Sequence, residues 1–116
     1  MKKELELRTK QVALEVIRLI SQLPRTKDAD ILGQQLLRSG TSIGANYREA
    51  NRAFSHDDFI RKISICEKEA AQTGYWLELL AEANLAQKSR CERVRKEAEE
   101  LLAIFVASGR TAKSRR

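Results

Sequence analysis

The chain has 116 residues, of which 42% are apolar, 33% are charged and 5% are aromatic, and its formal net charge is +6. This length suits a single domain that folds around its own core without metals or disulfides. No apolar run approaches the roughly 20 residues of a membrane span. The N-terminal MKKELELRTK lacks the apolar segment of a signal peptide, so we expect a cytoplasmic protein without membrane contact.

Helix-forming residues dominate the chain, and one proline and five glycines leave few positions at which a helix would be interrupted. No window shows the polar–apolar alternation of strands. Short connections between successive helical segments favour an antiparallel, up-down-up-down four-helix bundle. We therefore predict an all-α fold over residues 1–109, followed by a basic, disordered tail at 110–116. That tail holds four of the 22 basic residues and no acidic one, which leaves the remainder close to neutral.

The first predicted helix covers about residues 3–22 and ends before Pro24, because proline cannot donate the next helical hydrogen bond. Apolar residues at three- and four-residue spacing mark its inner face. This predicted face consists of Ala13, Val16, Ile17, Ile20 and Leu23.

The second predicted helix covers about residues 28–53. Thr26 is suited to cap it, and Asp28 and Asp30 suit the positive end of the helix dipole. Its predicted buried face consists of Leu32, Leu36, Ile43, Tyr47 and Ala50.

Three glycines interrupt this second helix, at Gly33, Gly40 and Gly44. An interior glycine costs about 1 kcal/mol relative to alanine. Their spacing favours close approach by another helix, belonging either to this chain or to a second copy of it. The alternative interpretation is a break in the helix near residues 39–42.

Two further helices are predicted, over about residues 56–84 and 90–108. Ser55 with Asp58, and Ser89 with Glu92, resemble capping boxes at their starts, and Gly109 suits a C-terminal cap. The apolar arc of the third helix, which includes Trp76, is wide enough to need more than one neighbour.

No arrangement of residues indicates catalysis, a cofactor or a metal site. Phosphate-binding glycine loops, nucleophile elbows and paired metal ligands are all missing from the pattern. His56 is the only histidine, and Cys66 and Cys91 share no ligand spacing. We therefore expect a protein that is not an enzyme and uses no cofactor.

Two groups of basic residues are candidates for contacts with a phosphate backbone. The first combines residues from both sides of the turn between the second and third helices, namely Arg48, Arg52, Arg61 and Lys62. The second follows the fourth helix, namely Arg90, Arg93 and Lys96. The alternative is a solvated surface neutralised by ion pairs such as Arg93–Glu97. Base stacking would need exposed aromatic side chains beside these charges, and Tyr47, Tyr75 and Trp76 are predicted on or near packed faces.

Polar residues near the buried face of the second helix form another candidate set. Asn46 and Glu49 lie three residues apart, close to that face. If they are buried they must be hydrogen-bonded, and they would then fix helix register or a contact between subunits. The alternative is that they form a solvated edge.

Several segments resemble a known bacterial family. They are ILGQQLLRSGTSI, SIGANYREANRA, DFIRKISICEKEA and YWLELL. Together they resemble the four-helix bundle proteins encoded in intervening sequences of the 23S ribosomal RNA gene. The family's recurrent Ser-Ile, Asn and Glu fall on Ser42, Ile43, Asn46 and Glu49. Some members carry Gly-Ser in the third helix where this chain has Lys68-Glu69, so contacts of that pair are not carried over.

The resemblance implies a bundle that assembles as a ring, typically a homopentamer. The accessory protein of diversity-generating retroelements, which partners a reverse transcriptase and RNA, is a more distant relation. The leading hypothesis is a non-catalytic, ring-forming protein that binds RNA or a nucleoprotein partner. The alternative is a purely structural or protein-interaction module in which Gly33, Gly40, Gly44, Ser42, Asn46, Glu49 and Trp76 serve helix packing or self-association.

Overall fold

The structure is a computed structural model that describes all 116 residues. It contains four helices and no strand: α1 (Lys2–Ile20), α2 (Lys27–Asn51), α3 (His56–Glu82) and α4 (Lys88–Ser114). The helices alternate in direction and form an elongated body of 47 × 21 × 20 Å. The predicted all-α, up-down-up-down bundle is confirmed.

One continuous apolar core runs along the bundle. At the end where α2 passes into α3, the rings of Tyr47 and Phe105 pack together with their centroids 5.6 Å apart. The largest fully buried side chains come from α2, α3 and α4, and they include Leu36, Ile43, Ile63, Leu77, Leu80, Leu101 and Phe105. Their spacing of three, four and seven residues explains why these segments fold as helices that bury one face each.

The N-cap hydroxyls predicted for α2 and α3 are present, although Asp58 does not complete the capping box with Ser55 and pairs with Arg61 instead. Thr26 and Ser55 lie just before their helices in extended conformation, and their hydroxyls accept hydrogen bonds from the backbone N–H groups of Ala29 and Asp58. The Ser55 bond satisfies a donor that would otherwise lack a partner at the helix end, whereas the Ala29 N–H is shared between Thr26 at 3.4 Å and Asp28 Oδ1 at 2.9 Å. These two polar residues therefore define where α2 and α3 begin.

The structure differs from the prediction at both ends of α4. The helix begins at Lys88, so Ser89 lies inside it and Glu92 bonds Arg95 rather than a cap. It also continues through Gly109 to Ser114, which makes most of the supposed tail helical. Gly109 is buried, and a Cβ there would lie 3.2 Å from Glu67 Oε2 and 3.6 Å from Ile63 Cγ2. Gly109 therefore packs closely against α3 inside the helix rather than ending it.

The inner face of α1 is rotated relative to the predicted one. Leu5, Thr9, Val12, Val16 and Leu19 are buried, whereas Ile17 is 48% exposed. Thr9 can be buried because its hydroxyl donates to the carbonyl of Glu6 at 3.0 Å. A polar residue on the inner face and apolar residues on the outer one made the sequence pattern misleading here.

Helix α2 is continuous across residues 39–42, so the predicted alternative of a break is wrong. Its three glycines face α1 of the same chain. A Cβ at Gly40 would lie 2.9 Å from Val16 Cγ2, and one at Gly44 would lie 3.0 Å from Thr9 Oγ1. The close helix approach inferred from the glycines therefore occurs within the chain.

The contact between α1 and α4 is much sparser than the contacts between α1 and α2, α2 and α3, and α3 and α4. Polar side chains bridge this α1–α4 seam. Arg8 donates two hydrogen bonds to the carboxylate of Glu97, at 2.9 and 2.6 Å. Arg90 donates to the side chain of Gln22 at 2.6 Å. All four helices thus contribute to the core, and α1 is attached chiefly to α2.

Candidate nucleic-acid interface

The four basic residues of the first predicted cluster line a single open depression. Arg48 lies in the last turn of α2 and Arg52 directly follows the helix, whereas Arg61 and Lys62 lie in the second turn of α3. A turn of four residues, 52–55, brings these two helix ends together. The convergence expected from the sequence is therefore present in the fold, and the binding of a ligand there stays a prediction.

Ion pairs neutralise part of this depression. Lys62 Nζ lies 2.7 Å from Glu49 Oε1, and Arg61 pairs with Asp58 within α3. These two pairs use both carboxylates that line the depression.

Two cations of the depression, Arg48 and Arg52, form no close ion pair. The Nε atom of Arg48 is 3.8 Å from the Glu6 carboxylate, a loose and half-exposed contact. Arg52 forms no ion pair at all. The depression therefore keeps a positive surplus, with Arg52 available to an anion from solution.

Sequence reasoning missed Phe54, which also lines the depression. Its side chain is fully exposed, at 102% of its reference area. A residue just before a helix cap often packs on the fourth helical residue as a hydrophobic staple, which would pair Phe54 with Phe59. Phe59 packs against the core and is half-buried, whereas Phe54 stands in solvent. An exposed aromatic ring therefore lies among cations. Base stacking requires this arrangement, and the sequence analysis did not identify a ring that provides it.

The C-terminal end of α4 reaches the same turn from its other side. A second open depression is lined by Ser55, His56, Asp57, Arg115 and Arg116. His56 Nε2 lies 2.6 Å from the carbonyl oxygen of Ala112, and Arg116 Nε lies 3.4 Å from Asp57 Oδ1. These contacts fix the end of α4 against the start of α3, and they bring two tail arginines to the turn that carries Phe54.

The second predicted basic cluster has a different setting. Arg90 is engaged with Gln22, and Arg93 lies 3.7 Å from the Glu15 carboxylate. The predicted Arg93–Glu97 pair is wrong, since Glu97 pairs with Arg8. Lys96 is exposed and forms no ion pair. Because Arg90 contacts the end of α1 that is remote from the α2–α3 turn, this cluster lies away from the first one.

The residues predicted for close packing or self-association separate into two groups. Gly33, Gly40 and Gly44 pack against α1. The polar ones bond within the chain. Ser42 donates to the carbonyl of Arg38 at 2.6 Å and Asn46 to that of Ser42 at 2.8 Å, while Glu49 pairs with Lys62. None of these contacts by itself indicates a second subunit.

Trp76 and Glu69 on α3 each carry a buried polar atom without a partner, Nε1 and Oε1 respectively. The second oxygen of Glu69 lies 3.3 Å from Arg38. Trp76 packs edge-on against Tyr75, which is 54% exposed. Trp76 therefore lies at the border of the core rather than inside it.

Exposed apolar side chains are concentrated on α1. Leu7, Leu14 and Ile17 all point outward, and Leu37 of α2 is also exposed. The inner face of α1 is filled by other residues, so these side chains lie outside the core of one chain. They form an exposed apolar surface of the kind that marks contacts between proteins.

The two cysteines are buried and free. Burial raises the pKa of Cys66 to about 12 and also raises that of Cys91. Neither thiol is suited to nucleophilic chemistry, because the thiolate is the reactive form. No group of three or more potential ligands that could hold a metal ion is found, and none of the four helices combines the length and apolarity that crossing a bilayer requires.

Comparison with known proteins identifies a family and a similar solved structure. The model of the 23S rRNA-intervening sequence protein family matches residues 3–107. A crystal structure from Bacteroides thetaiotaomicron, described as a protein of unknown function from the S23 ribosomal protein family, is 34% identical in sequence. It superposes with a TM-score of 0.86, over 95% of this chain and 99% of that one. Comparison with curated proteins gives no significant match.

Proposed function

This chain belongs to the 23S rRNA-intervening sequence protein family, and from that premise we propose that it is a non-catalytic, self-associating bundle that binds RNA, free or within a nucleoprotein. The observation that carries this proposal is the convergence of Arg48, Arg52, Arg61 and Lys62 on one depression. Cations that can approach successive phosphates supply most of the affinity in sequence-independent nucleic-acid binding. The fold offers no competing catalytic arrangement.

Convergence favours this depression over the basic residues of α4 as the binding surface. Four cations from two helices meet in the depression, and Arg52 among them has no ion pair. The basic residues of α4 lie along a single helix, where Arg90 and Arg93 contact Gln22 and Glu15. A phosphate in the depression is therefore within reach of cations from both helices, including the unpaired Arg52.

Salt dependence tests the proposal. Purified protein is titrated with a labelled structured RNA at a series of salt concentrations, and the affinity is expected to fall steeply as salt rises. The variant Arg48→Gln/Arg52→Gln is expected to lower the slope of log affinity against log salt by about 1.4 to 1.8, since each lost phosphate contact removes about 0.7 to 0.9. The matched control is Arg93→Gln/Lys96→Gln, which removes the same charge from α4. Equal effects of the two variants would show that only net charge matters, and absent binding at low salt would refute the proposal.

Self-association is the second part of the proposal, and the exposed apolar residues of α1 support it. Leu14 and Ile17 lie on the outer surface of α1, and Leu37 of the neighbouring helix is also exposed. A ring of identical subunits, five according to the family resemblance, would use this face to bury them. Light scattering after size exclusion is expected to give a multiple of the 13.2 kDa chain mass. The variant Leu14→Glu/Ile17→Glu is expected to have a lower mass. The control is Ile31→Glu, since Ile31 is an equally exposed isoleucine on α2.

A second candidate function is a protein-interaction module without a nucleic-acid role. The same exposed apolar residues favour it, because they would serve a partner protein as well as a second copy. Stable self-association combined with no salt-dependent RNA binding would identify this function. The two candidates therefore differ in the RNA titration and agree in the mass measurement.

A further inference from the structure

Phe54 lines one of two basic depressions that share the α2–α3 turn. That depression also holds Arg48, Arg52, Arg61 and Lys62, and the other holds Arg115 and Arg116, of which Arg116 is paired with Asp57. Ser55, the next residue, lines both depressions. The exposed ring therefore stands at the shared turn, beside the path of a phosphate chain that spans the two depressions.

The ring contributes nothing to the packing of its own chain. The ring is fully exposed, whereas Phe59, with which it would form a hydrophobic staple, packs against the core. The turn around it is held instead by the Ser55 cap and the contact between His56 and Ala112. A rigid turn that presents an aromatic ring among cations is suited to stacking, since every base offers a flat π-face.

We propose that Phe54 stacks on an unpaired base of a single-stranded RNA segment whose flanking phosphates lie in the two depressions on either side of the α2–α3 turn. This inference rests on the proposed function and names its substrate class. In a duplex the faces of the bases are covered by their neighbours, so only a single strand, a loop or a bulge can place a base on the ring. The arginines on both sides then contact the phosphates that precede and follow that base.

The charge around the ring favours a nucleic acid over an apolar peptide. A peptide that buried Phe54 would also have to cover Arg52, which has no carboxylate partner within the chain, and an apolar surface cannot compensate that charge. A polyanion with exposed flat rings satisfies both groups at once. An anionic lipid surface also combines negative charge with an apolar layer, and the experiment includes it as a contrary outcome.

The experiment measures binding of a fluorescein-labelled single strand of about 10 nucleotides, within the usual range of site sizes, and of the same strand annealed to its complement. Phe54→Leu keeps the apolar character and removes the ring. It is expected to weaken single-strand binding about tenfold, within the range for one stacked base, and to leave duplex binding unchanged. Phe54→Trp is expected to retain single-strand affinity, and its additional indole emission, above that of Trp76, is expected to be quenched by the RNA.

Tyr75→Leu is the matched control. Tyr75 is the other strongly exposed ring, and it lies 13 residues beyond Lys62 on α3, about 20 Å along the helix. This variant is expected to bind like the parent protein. Arg115→Gln/Arg116→Gln is expected to reduce the salt slope for the single strand by about 1.4, corresponding to two lost phosphate contacts.

The outcomes separate this inference from the proposed function. RNA binding that falls with salt but is equal for single strand and duplex, and indifferent to Phe54→Leu, would overturn the stacking site and leave the proposed function standing. No RNA binding at low salt would overturn both. Binding to phosphatidylserine vesicles that depends on Phe54, without RNA binding, would assign the ring to a lipid surface instead.

Discussion

Replacing glycine by alanine is expected to change the stability of this bundle in opposite directions at two positions, Gly40 and Gly74. Gly40 and Gly74 both lie inside long helices, so replacement by alanine recovers about 1 kcal/mol of helix propensity at each. Their surroundings differ. A Cβ at Gly40 would lie 2.9, 3.2 and 3.3 Å from three atoms of Val16, whereas at Gly74 the nearest atom is Arg95 Cγ at 3.8 Å. The same substitution should therefore destabilise at one position and stabilise at the other.

The magnitudes follow from these distances. Val16 is completely buried, and its β-branched side chain is stiff, so it cannot move away from a new methyl group. Overpacking of this kind costs about 1–3 kcal/mol. After the gain in propensity, Gly40→Ala is expected to lower the free energy of unfolding by about 1 kcal/mol. Gly74→Ala is expected to raise it by about the same amount, since 3.8 Å is an ordinary contact. Each change in the free energy of unfolding corresponds to a shift in melting temperature of about 4 °C.

The assay is thermal and urea unfolding followed by circular dichroism at a fixed protein concentration, because self-association makes melting temperature depend on concentration. Val16→Ala provides the coupling partner. In the double variant Val16→Ala/Gly40→Ala, the added methyl group occupies space left by the smaller residue, so the pair should be less destabilised than the sum of the single effects. Equal stabilisation by Gly40→Ala and Gly74→Ala would show that α1 does not pack on α2 at this distance.

Three further predictions concern the thiols, a helix cap and acid stability. Ellman's reagent is expected to leave the native protein almost unmodified and to react with both thiols after unfolding, because burial raises the pKa of Cys66 and Cys91; rapid native reaction would show that the core opens. Thr26→Ala is expected to cost about 1 kcal/mol in urea unfolding, whereas Thr26→Ser should preserve the cap. Hydrogen bonds from the Thr26 hydroxyl and the Ala29 N–H lower the pKa of Asp28. Its stabilising contribution is therefore full above the ordinary carboxylate pKa of about 4 and is lost as pH falls through the lowered value. Asp28→Asn should make the melting temperature less sensitive to pH in that range, and an unchanged pH profile would contradict this assignment.

Local signals in the sequence predicted the helices wherever the chain itself supplies the end of an element. Thr26 and Ser55 cap their helices within a few residues, and the core faces of α2 and α3 follow a regular spacing. The ends of α4 were mispredicted because Ser89 and Gly109 are residues typical of helix ends. Their positions inside the helix depend on distant partners: Gly109 packs against Ile63 and Glu67 of α3, which no local pattern reveals.

The candidate interface was predictable in part, because most of its residues are close to one another in the sequence. A short turn between two helices necessarily brings Arg48 and Arg52 close to Arg61 and Lys62. The exposure of Phe54 was not predictable, because a buried staple against Phe59 fits the same sequence. The position of the tail arginines also depended on the unforeseen extension of α4, which carries Arg115 and Arg116 to the turn.

The polar seam between α1 and α4 gives the bundle an uneven resistance to opening. Separation of α1 withdraws Leu5, Val12, Val16 and Leu19 from the core, chiefly from α2, and breaks polar contacts such as the Arg8–Glu97 pair, whereas α2, α3 and α4 keep their more extensive contacts with one another. Hydrogen exchange is expected to show α1 amides opening at lower free energy than those of α3, as a separate cooperative unit. The displaced state uncovers the glycine surface of α2. A second chain could insert its own α1 there, so exchange of α1 between subunits is a low-cost route to a domain-swapped assembly.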